Sequence, residues 1–154
     1  MFTTTRRQWL ATAVSGAAGA CGFAHAANTS PPAAVRPYRI YVITFRGQTS
    51  VEKGFEDYFA AHKVPVQITY RDLNRDATRM PGFIEEIRAT RPDLVYTWGT
   101  SVTLGVVGPY DSPAKQKFIN DIPVVFTLVA SPQLAKIVAE KGPTRSNITG
   151  VVHV

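Results

Sequence analysis

The chain has 154 residues, enough for one ordinary domain and short for two. Hydrophobic residues make up 45% and charged residues 18%, a balance that excludes a disordered chain. The formal charge of +6 is spread without a run of five like charges, so no nucleic-acid partner is expected, and a single cysteine, Cys21, excludes an internal disulfide and a cysteine-based metal site.

Residues 1–26 read as an export signal. Arg6 and Arg7 give a positive start, Trp9 to Phe23 form a short apolar run diluted by Ala and Gly, and Ala24-His25-Ala26 fits a signal-peptidase site. The run is too short for a membrane-spanning helix. Thr5-Arg6-Arg7-Gln8-Trp9-Leu10 is similar to a twin-arginine export motif, with Trp9 where Phe is usual and Ala11 where Lys is usual. An ordinary secretion signal is the other reading. A lipid anchor on Cys21 is disfavoured because Ala18 stands where a lipobox wants Leu. The chain is expected to work in the periplasm. Residues 27–37 read as an extended, proline-rich leader, and residues 38–154 as the folded domain.

From Tyr38 onward short apolar runs alternate with amphipathic ones. Arg39 to Phe45 is rich in β-branched and aromatic residues and predicts a buried strand. Thr49-x-x-Glu52 predicts a capping box, and Val51, Phe55, Tyr58, Phe59 and His62 recur at helical spacing, as a core-facing stripe would. Gly54 weakens that helix. Val64 to Tyr70 predicts the second strand. Asp76 or Thr78 opens a second helix; Pro81 belongs in a first turn, which favours Thr78 as cap, and Met80, Ile84 and Ile87 share a face. Asp93 to Gly99 predicts the third strand, followed by a helix capped by Thr100 or Ser101. A polar connection with a helical stretch follows at Asp111 to Asp121. Ile122 to Val129 predicts the fourth strand. Ser131-Pro132 predicts the start of a fourth helix with Leu134, Ile137 and Val138 on one face and Gly142 at its end. Asn147 to Val154 predicts the fifth strand.

This alternation implies an α/β fold: a doubly wound parallel five-stranded sheet, order 2-1-3-4-5, flavodoxin-like, with helices on both faces. Such sheets bind ligands beyond the carboxyl ends of their strands, near the switch point. Three loops are then in play: Arg46 to Ser50, Gly99 to Val102, and Thr127 to Ser131. They are small, hydroxyl-bearing and next to predicted helix N-termini, whose free N–H groups favour a carboxylate or another anion. Thr49, Thr100, Ser101 and Ser131 act as caps alone or as caps that also touch a ligand. Trp98 is either a packed strand-end aromatic or a stacking surface. No catalytic set accompanies these residues. Gly99-Thr-Ser101-Val-Thr103 lacks the last Gly of a nucleophile elbow, and no phosphate-binding glycine loop occurs. No enzyme activity, metal or cofactor is expected.

"RPDLVYTWGTSVTLG", "DIPVVFTLVASPQLAKIV" and "NITGVV" together resemble the substrate-binding proteins of ABC transporters, in the group that includes tryptophan and tyrosine binders. The resemblance runs from Tyr38 to Val154. It implies one lobe of a periplasmic-binding-protein fold, a small polar or amino-acid-like solute as ligand, and a transporter permease as partner. It implies ligand contacts at Gln48 and Thr49, at Thr100 and Ser101, and at Ala130 and Ser131, with Gly99 and Thr127 in the same loops. Ser131 stands where the family carries an acidic residue, which puts amino-acid specificity in question. Family chains run to about twice this length, so a truncated or partial chain, with the second lobe absent, is expected. The alternative is a standalone exported flavodoxin-like enzyme or accessory domain.

Overall fold

The computed structural model describes residues 36–140 and 145–153. The predicted signal peptide, Cys21, most of the leader and Gly142 lie outside them. Five parallel strands form one sheet in the order β2-β1-β3-β4-β5, the topology predicted from the alternation. The elements run β1 (Tyr38–Thr44), α1 (Ser50–Ala61), β2 (Val66–Asp72), a 3-10 turn (Ala77–Arg79), α2 (Met80–Thr90), β3 (Leu94–Trp98), α3 (Gly99–Val107), a second 3-10 turn (Lys115–Lys117), β4 (Val124–Val129) and β5 (Ile148–Val152).

β1 sits inside the sheet and is apolar on both sides. Ile40 and Val42 point to one face, Tyr41 and Ile43 to the other, and all four are buried. The second face is the larger core: α2 supplies Met80, Phe83, Ile84 and Ile87, and α3 supplies Val102, Val106 and Val107. Among the described residues, the first face meets α1, through Phe55 and Phe59 against Ile40, Val42 and Tyr96.

The second strand starts two residues later than its apolar run suggests. Val64 N–H closes the end of α1 on the Phe59 carbonyl, and the Pro65 carbonyl accepts from Tyr38 N–H, so pairing proper begins at Val66. Asp76, not Thr78, caps the turn before α2: its carboxylate accepts from both the Thr78 N–H and hydroxyl, and Pro81 then falls in the first turn of α2.

Two further expectations are corrected. On α1, Val51, Tyr58 and His62 are exposed; Phe55 and Phe59 turn inward as expected and are half-buried, and the fully buried position on their i, i+3, i+7 face is the carboxylate Glu52. The predicted fourth helix is a series of turns. One α-turn forms, from Ala135 N–H to the Ser131 carbonyl, and then Lys136 takes a φ of 59°. Tyr110 N–H donates to the Lys136 carbonyl and Lys136 Nζ pairs with Asp111, tying the segment to the loop after α3. Ile137 is buried while Leu134 stands 84% exposed.

Gly150 of the "NITGVV" stretch has a steric reason. A Cβ there would come within 2.3 Å of the Phe126 carbonyl oxygen on β4, a backbone atom that cannot move without breaking the ladder.

Candidate functional site

β1, β3 and β4 are neighbours, so their carboxyl ends lie side by side at the point where strand order reverses. Gln48 and Thr49 follow β1, Gly99, Thr100 and Ser101 form the first turn of α3, and Thr127 lies in β4 just before Ala130 and Ser131. Gln48, Ser101, Ala130 and Ser131 are exposed; Thr49, Thr100 and Thr127 are half-buried.

The loop after β1 is tied down from both sides. Leu73 N–H donates to the Thr44 carbonyl and Arg75 N–H to the Phe45 carbonyl. The Asp72 carboxylate accepts from the Asn74 N–H, the Gly47 N–H and the Thr44 hydroxyl. Burial works against its charge, but those hydrogen bonds outweigh it and hold its pKa below the ordinary value. Gly47 has a φ of 81°, a left-handed turn that glycine adopts without strain. The capping box at the start of α1 is complete: Thr49 Oγ1 accepts from Val51 N–H, and Thr49 N–H donates to Glu52 Oε2.

The α3 terminus differs. Trp98 occupies the N-cap position and gives no side-chain hydrogen bond, and Thr100 and Ser101 sit inside the first turn instead of capping it. Gly99 enters the helix with a φ of 78°. The third expected helix N-terminus, at Ser131, is absent with the fourth helix, so that loop offers a hydroxyl and backbone but no helix dipole. Of the two helices that start at the cleft, α1 spends N–H groups on its own cap and α3 leaves its first turn open.

Trp98 is half-buried, stacked beside Phe45 at 6.4 Å between ring centroids, with the Arg46 guanidinium 5.6 Å above its ring. Its Nε1 is buried without a hydrogen-bond partner among the described residues. β4 carries a bulge next to Thr127: Leu128 takes a φ of 55°, and the pairing with β5 slips between Phe126 and Val129. The extra residue keeps Val129 on the same buried face as Phe126 and leaves Thr127 on the α1 side, beside Trp98.

Beneath these loops lies a group the sequence pattern did not single out as more than a cap. Glu52 is fully buried and, among the described residues, has no cationic partner. Its Oε2 accepts from Thr49 N–H at 2.8 Å and from the Thr49 hydroxyl at 2.6 Å; its Oε1 accepts from the Tyr96 hydroxyl at 2.6 Å. The Tyr96 oxygen in turn accepts from the Thr127 hydroxyl at 2.9 Å. The chain of bonds joins the loop after β1 to the carboxyl end of β4 through β3. Burial, then the hydrogen bond to Glu52, pushes the Tyr96 phenol well above its ordinary pKa. The helical spacing of Glu52 with Phe55 and Phe59 was the available signal, masked because a carboxylate counts as a surface residue.

Three cavities, of about 430, 330 and 300 Å³, lie away from these loops: between α2 and α3, around Arg145 at the amino ends of the strands, and between β2 and α2. None of the three is lined by a candidate residue. Among the described residues no three metal-ligating side chains converge.

No protein-family model and no curated protein matches the chain. Solved structures do. An ABC domain in complex with L-Trp from Streptococcus pneumoniae is 22% identical with a TM-score of 0.59, over 75% of this chain. A substrate-binding protein with adhesive properties from Clostridium difficile, in a ligand-free open form, is 17% identical with a TM-score of 0.58, over 73%. A conserved domain protein from Vibrio cholerae is 17% identical with a TM-score of 0.60, over 75%. The chain spans 38% of the length of each. The likeness shows the fold: this α/β sheet is the one found in substrate-binding proteins.

Proposed function

We propose that the chain forms one wall of an exported solute-binding protein serving an ABC importer, and that its ligand is a small polar or amino-acid-like solute. The observation that carries this reading is the convergence of Thr49, Thr127 and the uncapped first turn of α3 on three adjacent strand ends at the switch point. Hydroxyls and free N–H groups without a nucleophile or general base are binding chemistry. The neighbours' descriptions, one with L-Trp bound and one as a substrate-binding protein, agree with it. The solute would touch Gln48, Thr49, Gly99, Thr100, Ser101, Thr127, Ala130 and Ser131, with a permease as partner and the periplasm as location. Because the chain spans 38% of its neighbours, this surface is one side of a cleft that hinge closure would complete, and binding to it alone is weak.

Titrating the ¹⁵N-labelled chain with L-tryptophan, L-tyrosine and other amino acids tests the reading. Amide shifts confined to those three loops are expected for at least one solute. Shifts confined to the Arg145 cavity, or none at millimolar solute, would overturn it.

A further inference from the structure

A capping box asks only that the glutamate reach the N-cap N–H, which a surface glutamate does as well as a buried one. Glu52 is buried at a real desolvation cost, offset by three hydrogen bonds and its place in the first turn of α1. Its burial has a consequence for the hydroxyls around it. A carboxylate accepts and does not donate. The Tyr96 hydroxyl has one proton, given to Glu52, so its oxygen can only accept from Thr127, whose single proton is thereby used. The Thr49 hydroxyl likewise gives its proton to Glu52. Both threonines have spent their protons inward. Thr49 Oγ1 also accepts from first-turn N–H groups of α1, so Thr127 is the hydroxyl that offers lone pairs, and only lone pairs, toward a solute.

We infer that Glu52 and Tyr96 are positioning residues that make Thr127 an obligate hydrogen-bond acceptor, so this part of the cleft selects solutes bearing a donor group, an ammonium or amide N–H. The inference rests on the solute-binding reading. It bears on the Ser131 question: without an acidic side chain in that loop, an oriented hydroxyl still recognises an amino group. The α3 terminus, with open N–H groups, provides the opposite polarity.

The test compares L-tryptophan with indole-3-propionate, which keeps the ring and carboxylate and lacks the amino group. In ¹⁵N titrations the unaltered chain is expected to bind L-tryptophan at least ~10-fold more tightly. Tyr96→Phe frees the Thr127 hydroxyl to rotate and donate, and the ratio should fall to about threefold or less. Thr127→Val, which removes the acceptor at nearly constant volume, should lower it as well. A ratio near one in the unaltered chain, or an undiminished ratio in Tyr96→Phe, would overturn the inference. A ligand-free arm separates it from the function it rests on. Tyr96→Phe should move the Thr127 methyl and amide resonances while Tyr70→Phe does not; unmoved Thr127 resonances would sink the relay. If neither these probes nor any other amino acid binds, the solute-binding reading and donor selection fall together, and the ligand-free spectra decide the relay by themselves.

Discussion

Removing one hydroxyl from Tyr96 should cost far more stability than removing one from Tyr70, although both phenols donate to a glutamate. Tyr96 is 1% exposed and its acceptor Glu52 is fully buried. Tyr70 reaches Glu56 at 2.5 Å on an exposed stretch of the molecule. A hydrogen bond to a charged group contributes about 1.5–3 kcal/mol when neither partner can turn to water. At Tyr96 the loss also strips one of three donors from a buried carboxylate and leaves the Thr127 hydroxyl without its acceptor. Tyr96→Phe is therefore expected to destabilise by about 2 kcal/mol, lowering Tm by on the order of 8 °C for a domain of this size. Tyr70→Phe should cost less than about 1 kcal/mol, because water replaces the lost donor on Glu56. Urea denaturation of the two variants beside the unaltered chain measures both, with unchanged m-values showing that the unfolded state is comparable. If the two variants agree within about 0.5 kcal/mol, the buried carboxylate is hydrated and the argument from desolvation is wrong.

Two other outcomes follow from local structure. Gly54 lies on the exposed side of α1, where an added Cβ would meet nothing within 4 Å, so Gly54→Ala should stabilise by about 0.5–1 kcal/mol in the same denaturation assay. The Asp93 carboxylate is held well below its ordinary pKa by the Arg36 guanidinium and the Arg39 N–H. A depressed carboxylate stabilises the fold above its unfolded pKa and loses that contribution as pH falls toward its folded value. Asp93→Asn should therefore lower Tm at pH 7, with the deficit shrinking steadily below about pH 4; a deficit independent of pH would refute the ion-pair account.

The sheet was legible because its strands are short apolar runs separated at regular intervals, and parallel topology with right-handed crossovers leaves few ways to connect them. The Thr49–Glu52 capping box was legible because it is local: four residues determine it. The fourth helix misled for the converse reason. Ser131-Pro132 and the spacing of Leu134, Ile137 and Val138 are local helix signals, but the pairing of Lys136 with Asp111 and the bond from Tyr110 to the Lys136 carbonyl come from a loop more than twenty residues earlier and bend the segment away. On α1, periodicity placed Val51, Phe55, Tyr58, Phe59 and His62 on one stripe; the sheet face presented by Ile40, Val42 and Tyr96 takes Phe55 and Phe59 from it, leaves Val51, Tyr58 and His62 exposed, and adds Glu52.

The candidate site divides in the same way. The sequence alone determined which loops stand at the carboxyl ends of adjacent strands, since strand order follows from the alternation of elements. Only the tertiary structure decided which hydroxyls are free to donate. That depends on where Tyr96 of β3 meets Glu52 of α1, two residues 44 apart in the chain, and on a bulge at Leu128 beside Thr127, which bonds to the Tyr96 hydroxyl. A hydroxyl's polarity is set by the partner that takes its proton, and that partner is brought in by packing rather than by sequence neighbours.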